Sequence, residues 1–118
     1  MPMEPIPIYF ENVRRSALVL KPKQPFKDWL VSLDSGDIKV DITNNSDVYL
    51  LPDFEELKQI ESWLKRNYDQ IFCDQMNNWY VDDSVWIQNR TYRIFKEWFD
   101  YSIHTMIWDT MDIPIEKE

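Results

Sequence analysis

Glycine is all but missing from this sequence, with one residue in 118. Loops that cradle phosphate need several, because a backbone wrapped closely round an anion must reach positive φ with no Cβ in the way. P-loop and dinucleotide fingerprints are therefore excluded. Cysteine is as scarce. Cys73 alone rules out an internal disulfide framework and fits a reducing compartment. His104 is the single histidine, so neither a histidine metal cluster nor a two-histidine mechanism can be assembled. No apolar run reaches membrane-spanning length. The start, MPMEPIPIYF, has no basic residue and is broken by three prolines, unlike a signal peptide. These absences predict a cytoplasmic protein with no cofactor, no metal and no membrane segment.

Basic residues are in deficit, 13 against 21 acidic, for a net charge of −8. The deficit is uneven. Residues 1–27 hold five basic and two acidic residues, leaving 8 basic and 19 acidic (13 − 5 and 21 − 2) for the remainder. An acidic body repels phosphate backbones and argues against nucleic acid as a partner. It suits a basic protein partner, or simply a soluble surface. Aromatics are plentiful: six Trp, six Tyr and six Phe, within a hydrophobic share of 44%. That composition excludes disorder, and the length fits one domain with a core of its own.

Residues 1–12 read as an extended arm, with Pro2, Pro5 and Pro7 set between Met3, Ile6 and Ile8. Such an arm lies across a neighbouring subunit or sheet edge, which would make a homo-oligomer, or it is mobile. Residues 13–112 read as a single domain and 113–118 as a frayed tail. Ser16-Ala17-Leu18-Val19-Leu20 is a buried strand, and Pro25 opens a helix through Phe26, Trp29, Leu30 and Leu33. After a turn at 34–37, Ile38, Val40 and Ile42 alternate as a half-buried strand. Val48-Tyr49-Leu50-Leu51 is a short apolar run stopped by Pro52, and it reads as the buried strand around which the chain is organised. Asp53 with Glu56 forms a capping box for a helix through Phe54, Leu57, Ile60 and Leu64. Asn67 is expected to end that helix, and Tyr68, Ile71, Phe72 and Met76 to start another. Asn89 or Thr91 caps a last helix containing Tyr92, Phe95, Trp98 and Phe99. Ser102 to Trp108 alternates with strand period. The pattern predicts an α+β domain: a small mixed or antiparallel sheet of three to four strands covered by about four helices.

Several stretches resemble a family of short bacterial proteins of uncharacterised function. They are Arg15-Ser16-Ala17 leading to Lys21-Pro22-Lys23-Gln24-Pro25-Phe26, Val48-Tyr49-Leu50-Leu51-Pro52-Asp53, Asn78-Trp79-Tyr80, Gln88-Asn89-Arg90-Thr91, Phe95-Lys96-Glu97-Trp98-Phe99-Asp100 and His104-Thr105-Met106. The resemblance covers roughly residues 14–110 and brings no activity, cofactor or site residue with it. The chain departs from the family in its proline-rich start and at Ile87, where the family has a Pro.

Five residues stand out as candidates for function. Trp79, Tyr80 and Trp86 cluster around a loop that also holds Asp82, Asp83 and Ser84, and Arg90 closes it. Trp, Tyr and Arg are the types that dominate binding hot spots. Arg90 either pairs with Asp82 or Asp83 to fix the loop or offers its planar fork to a carboxylate or phosphate. His104 is either a hydrogen-bonded strand residue or a proton carrier in a cleft. Cys73 reads as a small core filler within a helix. Asp41, Asn44, Asn45 and Asp47 lack the glycine and the terminal Glu of a calcium loop. The first functional reading is a non-enzymatic protein-interaction domain using residues 79–90. The alternative is a domain binding a small anionic ligand, or a minor enzyme, through Arg90 and His104.

Overall fold

The computed structural model describes residues 11–33 and 46–116. The arm expected over residues 1–10, the turn at 34–37, the alternating strand at 38–43 and Asn44-Asn45 lie outside the described residues. A short strand, β1 (Glu11–Asn12), leads into β2 (Ser16–Pro22). Helix α1 (Gln24–Leu33) follows, then β3 (Asp47–Leu51) and the long helix α2 (Leu57–Asn77). A loop with one 3-10 turn (Asp83–Val85) leads to α3 (Tyr92–Trp98), which passes directly into β4 (Phe99–His104) and then β5 (Trp108–Asp109).

The fold is α+β. Three strands in the order β3-β2-β4 make an antiparallel sheet, and β1 pairs separately with β5. β2 is central, and Ser16, Ala17, Leu18 and Leu20 on it are all buried, with Val19 half-buried. Leu18 stands opposite Tyr49 on one side and Ile103 on the other, which fixes which residues share a face. Leu18, Leu20, Leu51 and Phe99 project toward the helices and join Phe26, Leu30, Ile60, Leu64, Phe72, Met76 and Phe95 in one buried cluster. Phe72 sits at its middle, with ring centroids 5.3 Å from Trp98 and 5.4 Å from Phe99. Burying a ring of that size stabilises by about 2–3 kcal/mol.

Four sequence expectations change. Val48 to Leu51 is an edge strand among the described residues, not a buried one: Tyr49 and Leu51 face the helices while Val48 and Leu50 are exposed on the other face. A four-residue apolar run does not reveal its own alternation, and here the pleat decides. The helix does not start after Asp53, because the Phe54 N–H donates to the buried Ser16 hydroxyl at 3.2 Å. Glu56 becomes the N-cap, and Gln59 Oε1 accepts from the Glu55 and Glu56 N–H groups at 3.1 Å. Asn67 does not break the helix. Its side chain donates to the Trp63 carbonyl one turn back at 2.8 Å, and two expected helices become one, leaving three α-helices among the described residues. Finally, β4 begins at Phe99, which the helical spacing had claimed, and the alternation expected over 102–108 is broken between His104 and Trp108.

Candidate functional site

The loop from Trp79 to Arg90 leaves the end of α2 with its first two N–H groups, those of Trp79 and Tyr80, bonded to the Met76 carbonyl. The Trp86 indole then donates to the Tyr80 carbonyl at 2.8 Å, closing residues 80–86 into a ring. Inside it, Asp82 Oδ1 accepts from the Ser84 hydroxyl at 2.7 Å and the Ser84 N–H at 3.0 Å, which starts the 3-10 turn. Those bonds, the hydroxyl's first, hold the Asp82 carboxyl below the usual carboxylate range. Trp29 reaches across from α1, donating its indole N–H to the Val85 carbonyl at 2.9 Å and meeting the Tyr80 ring edge-on at 5.8 Å.

Arg90 locks the far end. Its Nε donates to Asp69 Oδ1 on α2 at 2.6 Å and its Nη1 to the Ile87 carbonyl at 2.9 Å. The Tyr68 hydroxyl donates to the Arg90 carbonyl at 3.3 Å. The hydrogen bond to Asp69 is the main reason the guanidinium holds its proton more firmly than usual. Asn89, at φ 57°, takes the left-handed conformation that asparagine tolerates better than other side chains. The chain can thus reverse before Thr91, whose hydroxyl caps α3 by accepting from the Ile94 N–H at 3.1 Å. Arg90 does fix the loop, but through Asp69 rather than through Asp82 or Asp83.

The loop is therefore rigidly held while part of it stays in solvent. Tyr80, Trp86 and Arg90 are half-buried. Trp79 is 40% exposed and Val81 82%. The sequence from 67 to 89 contains no Lys or Arg and carries Asp69, Asp74, Asp82 and Asp83, so the surroundings are negative apart from the paired Arg90. Cys73, one turn after Asp69, is half-buried; burial pushes its thiol up, and the Arg90 charge opposes that shift.

His104 is elsewhere. On β4, Tyr101 and Ile103 pack toward the helices, which sends His104 and Ser102 to the opposite face of the sheet. The imidazole Nε2 lies 3.0 Å from the Ser102 hydroxyl, and the residue stands opposite Ala17. The structure thus brings Trp79, Tyr80, Trp86 and Arg90 into one loop and leaves His104 apart from them. Three open concavities among the described residues are lined by neither Arg90 nor His104. No group of three His, Cys, Asp or Glu residues among those described is placed to hold a metal ion.

Two residues that build the loop, Trp29 and Asp69, were not picked out by sequence. Asp69 gave only a faint signal, an acid one helical turn before Cys73, and Trp29 reads as an ordinary core residue of α1. Comparison with protein-family models, with curated proteins and with solved structures gives no match to this chain. No helix among the described residues is long and apolar enough to cross a membrane.

Proposed function

We propose that this chain is a non-enzymatic, cytoplasmic protein-interaction domain whose contact surface is the loop from Trp79 to Arg90. The observation that carries the reading is the combination of restraint and exposure in that loop. Indole and guanidinium bonds tie residues 85 and 90 to α1 and α2 and close the loop on itself between 80 and 86 and between 87 and 90, while Trp79 and Val81 remain open to solvent. A surface that is already ordered loses less conformational entropy when a partner binds, and an exposed indole is a strong anchor once buried. The anionic-ligand reading has less support, because two donors of Arg90 are engaged by Asp69 and the Ile87 carbonyl. Membership of the bacterial family that the sequence resembles is part of the proposal, as is a partner that is protein rather than nucleic acid.

The test is affinity capture, with wild type beside a Trp79→Ala, Val81→Ser variant checked for unchanged melting. Neither side chain belongs to the core, so the variant is expected to fold normally. A protein bound by wild type and lost from the variant supports the reading. Equal retention, or none, removes the loop from consideration.

A further inference from the structure

After β5 the chain bends, and Asp109, Met111, Ile113, Pro114, Ile115 and Glu116 line an open groove of about 470 Å³. Its walls are mostly apolar: Met111, Ile113 and Ile115 are 48%, 62% and 67% exposed. We propose that the groove is the seat of the N-terminal arm of the same chain, residues 5–10 (PIPIYF).

The argument begins where the described chain begins. Glu11 pairs with Asp109, the first residue of the groove wall, and Asn12 with Trp108. The Val13 N–H donates to the Ile107 carbonyl at 2.8 Å, extending the same antiparallel ladder. Glu11 is therefore held beside the groove, and the ten residues that precede it in sequence are long enough to run along it. The ladder itself does not continue into the groove. The Met111 N–H, which a further strand pair would need, instead donates to Asp109 Oδ1 at 2.8 Å. Pro114 has no N–H to give, and on the arm neither do Pro5 and Pro7. Both sequences thus lack backbone donors that a ladder would use, and both carry apolar side chains: Ile6, Ile8, Tyr9 and Phe10 in the arm against Met111, Ile113 and Ile115. A proline-containing extended segment loses little conformational freedom on docking, which suits side-chain contact without a ladder. Tethering favours the chain's own arm over that of a second copy, because a short tether gives an effective concentration in the millimolar range.

The test uses the full chain with Cys73→Ser and two introduced thiols, Ile8→Cys and Ile113→Cys, under mild oxidation at about 10 μM protein. A control pair, Ile8→Cys with Val48→Cys, places the second thiol on the far face of the sheet. Docking in cis predicts a disulfide within one chain, formed faster than in the control pair and favoured about 100-fold over a disulfide between chains, as a millimolar effective concentration against about 10 μM protein implies. A disulfide mainly between two chains overturns the proposal in favour of an arm exchanged between copies. A rate no greater than the control overturns it altogether. Ile113 is outside the core, and Ile6→Cys with Ile115→Cys is the second pair should the first misfold.

Discussion

The two faces of the central sheet are made from similar residues and live in different surroundings. Toward the helices, Leu18, Leu20, Leu51 and Phe99 are each at most 2% exposed. On the other face, Val48 and Leu50 of the same edge strand stand 61% and 48% exposed, beside Ser102 and His104. Hydrophobicity alone does not assign a side chain to the core. Parity along the strand, fixed by where the helices pack, does.

The sharpest way to break the comparison is to open a cavity on the sealed side. Phe72→Ala should cost about 3–5 kcal/mol, read as a fall in the urea midpoint, because the three neighbouring rings of Phe95, Trp98 and Phe99 cannot close the space. A loss under about 1 kcal/mol would mean that this face is not packed as described. Ser16→Ala comes next, at about 1–3 kcal/mol, since it leaves the Phe54 N–H without its acceptor at the start of the β3–α2 connection. Urea unfolding of that variant, with unchanged denaturant slope, is the measurement.

Alkaline titration gives a smaller and more selective effect on the helix-facing side. Tyr92 is pushed up to about 12, by burial first and then by its hydrogen bond to Tyr101. Tyr49 is raised as well, by burial and by its bond to Asp74. A raised folded-state pKa means that above pH ~10 the folded chain holds protons that the unfolded chain has lost. The stability from these groups is therefore complete below pH 10 and falls as pH rises toward 12. Tyr92→Phe should flatten the fall in melting temperature over that window, and an unchanged slope would count against the buried phenol. The smallest effects belong to the open face. Leu50→Ser and His104→Ala should each stay within about 0.5 kcal/mol of wild type. A large loss from either would show that this face is covered in solution.

Legibility in the sequence followed the range of the interaction. Thr91 as a cap, Pro25 in the first turn of α1, the apolar strand at residues 16–20 and the aromatic loop around 80–90 are local signals, and the structure keeps each of them. The misplaced elements were decided by partners distant in sequence. The start of α2 is shifted by Ser16, which is 38 positions from Phe54. Arg90 has three carboxylates near it in sequence or space, and charge pattern cannot choose Asp69, 21 positions away, over Asp82 or Asp83. Asn67 is the exception, a local contact misread. Asparagine is a reasonable helix stop, and only its bond to Trp63 shows that it continues one here. His104 was assigned correctly to a strand, but its separation from the loop depends on which face the helices cover.

The placing of β2 also sets the order in which the molecule can be made. Its neighbours are β3, some way downstream, and β4, which pairs Ile103 with Leu18. A nascent chain therefore carries Leu18 and Leu20 for about 80 residues of synthesis before their second strand emerges, several seconds at ordinary translation rates. Until the ribosome has passed residue 104, the central strand has an open edge, the feature that most invites pairing with another chain. Yield in the cell should thus depend on chaperone supply more steeply than the final stability of the domain would suggest.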